Sequence, residues 1–186
     1  MSNTFSYDAI IIGSGAAGLG LALTLPDHLQ IAVFSKSNMS EGSTYYAQGG
    51  ISAVLDSADS HESHRIDTMR AGAGLCHEDI VELVVSNGKA SIDWLMANNV
   101  EFSTKKNTQS KRKLHLTKEG GHSYRRVVHA DDSTGQAVQI ALNDQVVNRS
   151  NIKIFEHHNI IDLVTSYDDK TGKKKVIGCY VLDTKK

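Results

Sequence analysis

Asp8-Ala9-Ile10-Ile11-Ile12-Gly13-Ser14-Gly15-Ala16-Ala17-Gly18 is the stretch on which the fold of this chain turns. Residues 8–12 form a short β-branched run that stops at a glycine, the pattern of a strand buried in a parallel sheet. Over residues 16–25 the pattern turns helical, with Leu19, Ala22 and Leu23 on one side, and Pro26 ends it. A second apolar run, Ile31-Ala32-Val33-Phe34, follows closely. Strand, helix and strand within about 30 residues make a βαβ unit. Residues 13–18 fit G-x-G-x-x-G at the point where strand gives way to helix. There Gly13 permits the tight turn, Gly15 lets a pyrophosphate approach the backbone, and Gly18 lets helix and strand pack closely. Free N–H groups and the helix dipole then favour the phosphates. Gly13, Ser14, Gly15, Ala16, Ala17 and Gly18 are therefore candidate cofactor-binding residues. A plain glycine-rich turn does not require strand, fingerprint and helix to coincide.

One part of that pattern is absent. A carboxylate normally ends the second strand and holds the ribose hydroxyls. Here Ser35 and then Lys36 stand in that place, and the next acid downstream is Glu41. A plain nicotinamide dehydrogenase is thereby disfavoured, and the ribose falls to a hydroxyl, an amine or a backbone group.

Further out, residues 36–50 read as a loop rich in Ser, Gly and Thr. Residues 58–71, 78–97 and 133–148 read as helices. Residues 105–113 read as a basic, solvated excursion. Leu114-His115-Leu116 and Val127-Val128 read as short strands around a Gly120-Gly121 turn, and residues 152–155 as another strand. Residues 160–164 and 176–182 alternate about Asp168-Asp169-Lys170-Thr171-Gly172, a β-hairpin pattern. The right-handed crossover rule then sets residues 8–12, 31–34 and 152–155 side by side as parallel strands, with 159–182 as a hairpin beside them.

The chain has 186 residues, with 20 Lys+Arg against 21 Asp+Glu, a formal net charge of −1. Such a length buries roughly 70% of the unfolded surface, and a balanced charge argues against nucleic acid or a charged membrane surface as partner. Cys76 and Cys179 form no motif, as expected of a reduced compartment. Residues 9–25 are uncharged, yet they lack a basic start and carry Gly13, Gly15, Gly18 and Gly20, so they read as neither signal peptide nor span. The expected location is cytoplasmic. Nine histidines, His61 and His64 among them, do not assemble the three or four ligands of a zinc site, and no metal is expected.

Two further segments carry a resemblance. Glu41-Gly42-Ser43-Thr44-Tyr45-Tyr46-Ala47-Gln48-Gly49-Gly50-Ile51 and His115-Leu116-Thr117-Lys118-Glu119-Gly120-Gly121-His122-Ser123 resemble the flavoproteins of the succinate dehydrogenase and fumarate reductase superfamily. Within it the likeness is to the L-aspartate oxidase family. It includes Arg125-Arg126-Val127-Val128-His129-Ala130 and Ser133-Thr134-Gly135, and runs from about residue 6 onward. The resemblance implies an α/β, Rossmann-like FAD-binding domain with a central parallel sheet and an antiparallel hairpin or meander. It implies FAD contacts at residues 14–17, Lys36, Ser43, Thr44, Tyr45, Tyr46, Ala47, Gln48, Gly49 and Gly50, and contacts of Asn159 and Ile160 with the adenosine half. Glu119 matches a glutamate that orients the substrate through its amino group. On its own, Glu119 reads as a solvated turn residue. Where membrane-complex relatives carry a flavin-linked histidine this chain has Ser43, so the FAD is expected to be noncovalent. By composition, residues 43–50 offer hydroxyls, an amide and glycine N–H groups to a flavin or its phosphates, with paired glycines that let a flat ring approach.

The implied reaction is oxidation of L-aspartate to iminoaspartate in de novo NAD biosynthesis, with oxygen or fumarate as acceptor and a functional link to quinolinate synthase. Residues 1–186 correspond to the N-terminal part of such an FAD-binding domain. The chain is accordingly expected to be a fragment lacking the capping and C-terminal helical domains, with no catalytic residue of its own, and inactive alone. A soluble fumarate reductase-like flavoprotein and a non-catalytic nucleotide-binding fragment are the alternatives, the first disfavoured by Glu119 in its Glu-Gly-Gly-His setting.

Overall fold

The structure, a computed structural model, describes residues 4–105 and 113–185. The chain divides into two compact units, residues 1–45 with 142–186, and residues 46–141. In chain order the elements begin with β1 (Ala9–Ile12), α1 (Ala16–Thr24), β2 (Ile31–Phe34) and β3 (Ile51–Ser52). Three helices follow, α2 (His61–Ala71), α3 (Glu78–Ser86) and α4 (Gly88–Ala97). Then come β4 (Leu116–Thr117), β5 (Val127–Val128), α5 (Thr134–Val147), β6 (Ile152–Phe155), β7 (His158–Tyr167) and β8 (Lys174–Asp183).

In the first unit β1, β2 and β6 form a parallel sheet in that order, with Ile10 opposite Ala32 and Ala32 opposite Lys153. The expected adjacency of residues 8–12, 31–34 and 152–155 holds, with β2 in the middle. All four residues of β2 are buried, which is why it is apolar throughout rather than alternating. Helix α1 buries Leu19, Ala22 and Leu23. It stops where the extended Leu25 precedes Pro26, because a proline disfavours helical backbone just before it. The hairpin β7–β8 also forms as read. The Asp168 carboxylate accepts the amides of Lys170 and Thr171 at 3.0 and 2.8 Å, and Gly172 takes φ +64° to close the turn.

In the second unit β3, β5 and β4 make a small antiparallel sheet, with Val128 of β5 paired to both Ile51 and Leu116. Strand β3 directly follows the loop expected over residues 36–50 and, at two residues, carries no period that the sequence could show. A Cβ on Gly50 would lie 2.2 Å from the Val128 carbonyl oxygen, so this glycine is required by sheet packing whatever else it touches. Helix α2 begins at His61 rather than 58, because the Ser60 hydroxyl accepts the Ser63 amide at 3.1 Å as an N-cap. The helix expected over 78–97 is two helices. Asn87 closes α3, and its side-chain amide is spent on the Leu83 carbonyl at 2.8 Å. Gly88 then opens α4, where a Cβ would press against Ala53 at 3.3 Å. Residues 106–112, most of the basic excursion, lie outside the described residues.

Candidate nucleotide-binding turn and the Glu119 turn

The turn at residues 13–18 is shaped as a dinucleotide site needs. Gly13 sits at φ +112°, which only glycine adopts freely. A Cβ on Gly18 would meet the Gly13 carbonyl oxygen at 2.0 Å and Ile11 at 3.3 Å. That glycine is what lets α1 lie so close to β1. Gly15 is the N-cap of α1 and has no side chain to give it, and the first turn carries no acidic residue. The Thr44 hydroxyl supplies the missing cap, accepting the Ala16 amide at 3.0 Å. Leu19 makes the next bond, to the Gly15 carbonyl at 3.0 Å. The N–H groups of a first helical turn have no partner within the helix and are suited to a phosphate. A pyrophosphate fits these residues, and one predicted contact, Thr44, is brought onto the fingerprint.

The place of the missing carboxylate is filled from inside. Ser14 and Ser35 are both buried, and the Ser14 hydroxyl lies 3.0 Å from that of Ser35. The side chains of these residues thus bond to each other, and the Ser14 hydroxyl also reaches the Met39 carbonyl at 3.4 Å. Glu156, just beyond β6, accepts the Met39 amide at 2.7 Å and so steadies the loop after β2. Sequence reasoning missed Glu156, because only the parallel pairing of β2 with β6 carries it there. Lys36 is exposed on that loop. The carbonyls flanking it, of Ser35 and Ser37, accept the amides of His158 and His157 at 2.9 and 3.3 Å. Lys36 is thereby brought to the start of β7, where Asn159 and Ile160 pair with Leu182 and Val181.

In the second unit Tyr46, Ala47, Gln48 and Gly49 are exposed, and the Ala47 carbonyl accepts the Gly135 amide at 2.9 Å at the start of α5. Glu119 and His122 are the corners of a turn closed by the His122 amide on the Glu119 carbonyl at 3.2 Å, with Gly121 at φ +84°. The Glu119 carboxylate is exposed. Immediately after it lies a buried ionic cluster. Arg126 is fully buried and places its guanidinium on both Asp59 oxygens at 2.8 Å and on Asp67 at 2.9 Å. Asp67 also accepts the Ser123 amide at 2.6 Å and hydroxyl at 2.7 Å. Burial alone would raise the Asp67 carboxyl, but the Ser123 amide and hydroxyl and Arg126 outweigh it and hold the group below its ordinary value. Beside them His64 is buried, and its imidazole is pushed down by that burial and by Arg126 and His122. The His64 and His122 rings meet edge to face at 6.1 Å. Nothing in the sequence marked this cluster, since its members stand 59 and 67 positions apart along the chain. No group of three or more His, Cys, Asp or Glu suited to a metal ion occurs among the described residues.

Comparison with known proteins bears on both regions. Residues 8–186 match the family described as FAD binding domain. The chain is 46% identical to the L-aspartate oxidase of Pseudomonas aeruginosa over 98% of its own length and 35% of that protein's. It is 47% identical to the chloroplastic L-aspartate oxidase of Arabidopsis thaliana over 98% of its length and 27% of the relative's. Among solved structures, E. coli quinol fumarate reductase FrdA superposes with a TM-score of 0.86 at 27% identity, over 98% of this chain and 30% of that one. The chain thus spans about a third of the length of the curated relatives it matches.

Proposed function

From the premise that this chain belongs to the FAD binding domain family, we propose that it is the FAD-holding portion of an L-aspartate oxidase, which converts L-aspartate to iminoaspartate in NAD biosynthesis. The observation that carries the reading is the turn at residues 13–18, with Gly15 at the start of α1 and the Gly18 contact that leaves no room for a side chain. The likeness to L-aspartate oxidases over 98% of the chain supports the substrate.

When bound, FAD supplies the acceptor for a hydride from the substrate's α-carbon. The chain's own residues bind and orient. The first turn of α1 holds the pyrophosphate, with Thr44 fixing its opening, and Lys36, Asn159 and Ile160 take the adenosine half. Ser43, Tyr45 and residues 46–50 take the flavin half, and Glu119 receives the substrate's ammonium group. Ser43 offers no imidazole to bond to the flavin, so the cofactor is noncovalent. Oxygen or fumarate is the final acceptor, the product passes to quinolinate synthase, and the location is cytoplasmic. Among the described residues no helix is long and apolar enough to cross a membrane.

Two experiments test this. Acid precipitation of the FAD-loaded chain should release the yellow cofactor into the supernatant, whereas flavin retained in the pellet contradicts a noncovalent site. For the substrate, this chain is exchanged for the matching segment of the Pseudomonas aeruginosa relative, and peroxide is followed with L-aspartate and FAD. The chimera should turn over, with Glu119→Gln lowering kcat/KM for L-aspartate. A chimera that reduces fumarate but leaves L-aspartate untouched overturns the substrate assignment.

A further inference from the structure

We propose that Asp67 is a positioning residue for the turn that carries Glu119 and His122. The turn has few other ties. Its N-terminal side leaves β4 at Thr117, and Lys118 reaches across to the Ser123 carbonyl at 3.0 Å. Its C-terminal side is gripped at Ser123, whose amide and hydroxyl both end on the Asp67 carboxylate. That carboxylate is itself immobilised. It lies inside α2 at 3% exposure, and Arg126, anchored at its far side by Asp59 and Ser63, holds it from below. Hydrogen bonds to a charged acceptor are shorter and roughly twice as strong as neutral ones, so this grip outweighs the exposed contacts around it. Buried polar networks act as a unit when every member is satisfied. Here the unit runs from Asp59 through Arg126 and Asp67 to Ser123 and ends at the turn. His122, whose Nε2 lies 3.5 Å from the Ser52 hydroxyl, is set by the same grip, and its Nδ1 is buried without a partner among the described residues. A small shift at Ser123 therefore moves both corners of the turn. The consequence for catalysis rests on the proposed role of Glu119, which has to meet the substrate's ammonium group within hydrogen-bond distance.

The test uses amide exchange and chemical shifts of the chain by NMR, on Asp67→Asn and, apart from the ion cluster, Ser123→Ala. Asp67→Asn should move the Ser123 amide proton upfield and speed exchange at residues 121–123 about tenfold, while β5 and the rest of α2 stay within about twofold. Ser123→Ala removes one of the two bonds and leaves Asp67 on Arg126, so the same amides should speed about threefold while β5 and the rest of α2 stay within about twofold. Turn amides that do not respond to Ser123→Ala, or a uniform rise through β5 and α2 in both variants, would overturn the proposal. In the chimera, Glu119→Gln separates the two claims. Unchanged L-aspartate affinity there, beside a loosened turn, sinks the substrate role of Glu119 and leaves the positioning role standing.

Discussion

The turn at residues 13–18 is held by what Gly18 lacks, and the turn at residues 119–123 by what Arg126 carries. In the first unit the fit is one of shape. A backbone in the left-handed region, a missing Cβ and an apolar strand behind it fix the N–H groups without any charge. In the second unit the fit is one of charge, with a guanidinium and two carboxylates buried together and a turn tied to one of them. The difference has consequences. A site held by shape is insensitive to pH but intolerant of a single methyl group. A site held by buried charge tolerates changes of shape at its rim, depends on pH, and fails when one partner is removed.

Arg126→Met should produce the largest effect, because it leaves Asp59 and Asp67 buried without a counter-charge. A loss of about 3–5 kcal/mol is expected, read from urea unfolding of the chain. A loss under about 1 kcal/mol would show that shape, not charge, holds the second unit. Gly18→Ala comes next. Its Cβ would press on a backbone carbonyl that cannot swing aside, so about 3 kcal/mol is expected. A neutral result would break the shape half of the comparison.

The effect of pH is smaller and sharpens the contrast. His64 is held neutral in the fold by burial, so the unfolded chain takes up its proton first as pH falls below the ordinary value of 6.5. Stability should therefore decline below that point. Asp67, held below its ordinary value of 3.8, adds a second decline as pH falls through that value toward its folded one. Both losses belong to the second unit. Urea midpoints measured from pH 7.5 down to about 2.5 should fall in two phases, and His64→Gln should remove the first. A midpoint that rises on acidification contradicts the account. The smallest effect is expected at the Ser60 cap, where Ser60→Ala should cost about 1 kcal/mol, seen as a lower melting temperature.

What the sequence made legible follows the same division. The βαβ unit, its glycine fingerprint and the hairpin about residues 168–172 are each spelled by contiguous residues whose period and turn chemistry agree. Helix α1 stops where Pro26 requires, and the parallel adjacency of β1, β2 and β6 agrees with the βαβ pattern. The break at Asn87 lies between two stretches of helical spacing, and that spacing runs through it unbroken. Strand β3 has two residues and hence no period of its own. Gly50 offers a flat ring an approach in sequence, and its tightest demand in the fold is the Val128 carbonyl. The ionic cluster was illegible, since Arg126 stands beside an exposed Arg125 and its partners lie on another element. Local chemistry reads out of sequence, whereas a buried charge reads only once its counter-charge is seen.

The central claim is that residues 13–18 hold the pyrophosphate of FAD, and titration of the chain with FAD tests it most directly. Flavin fluorescence should be quenched saturably at one equivalent by the unaltered chain. It should stay unquenched with Gly15→Val, whose branched side chain crowds the start of α1, its Cβ 3.1 Å from the Thr44 hydroxyl that caps the helix, and a circular dichroism melt checks that the fold survives. A Gly15→Val chain that melts normally and binds FAD as tightly as the unaltered one would contradict the account.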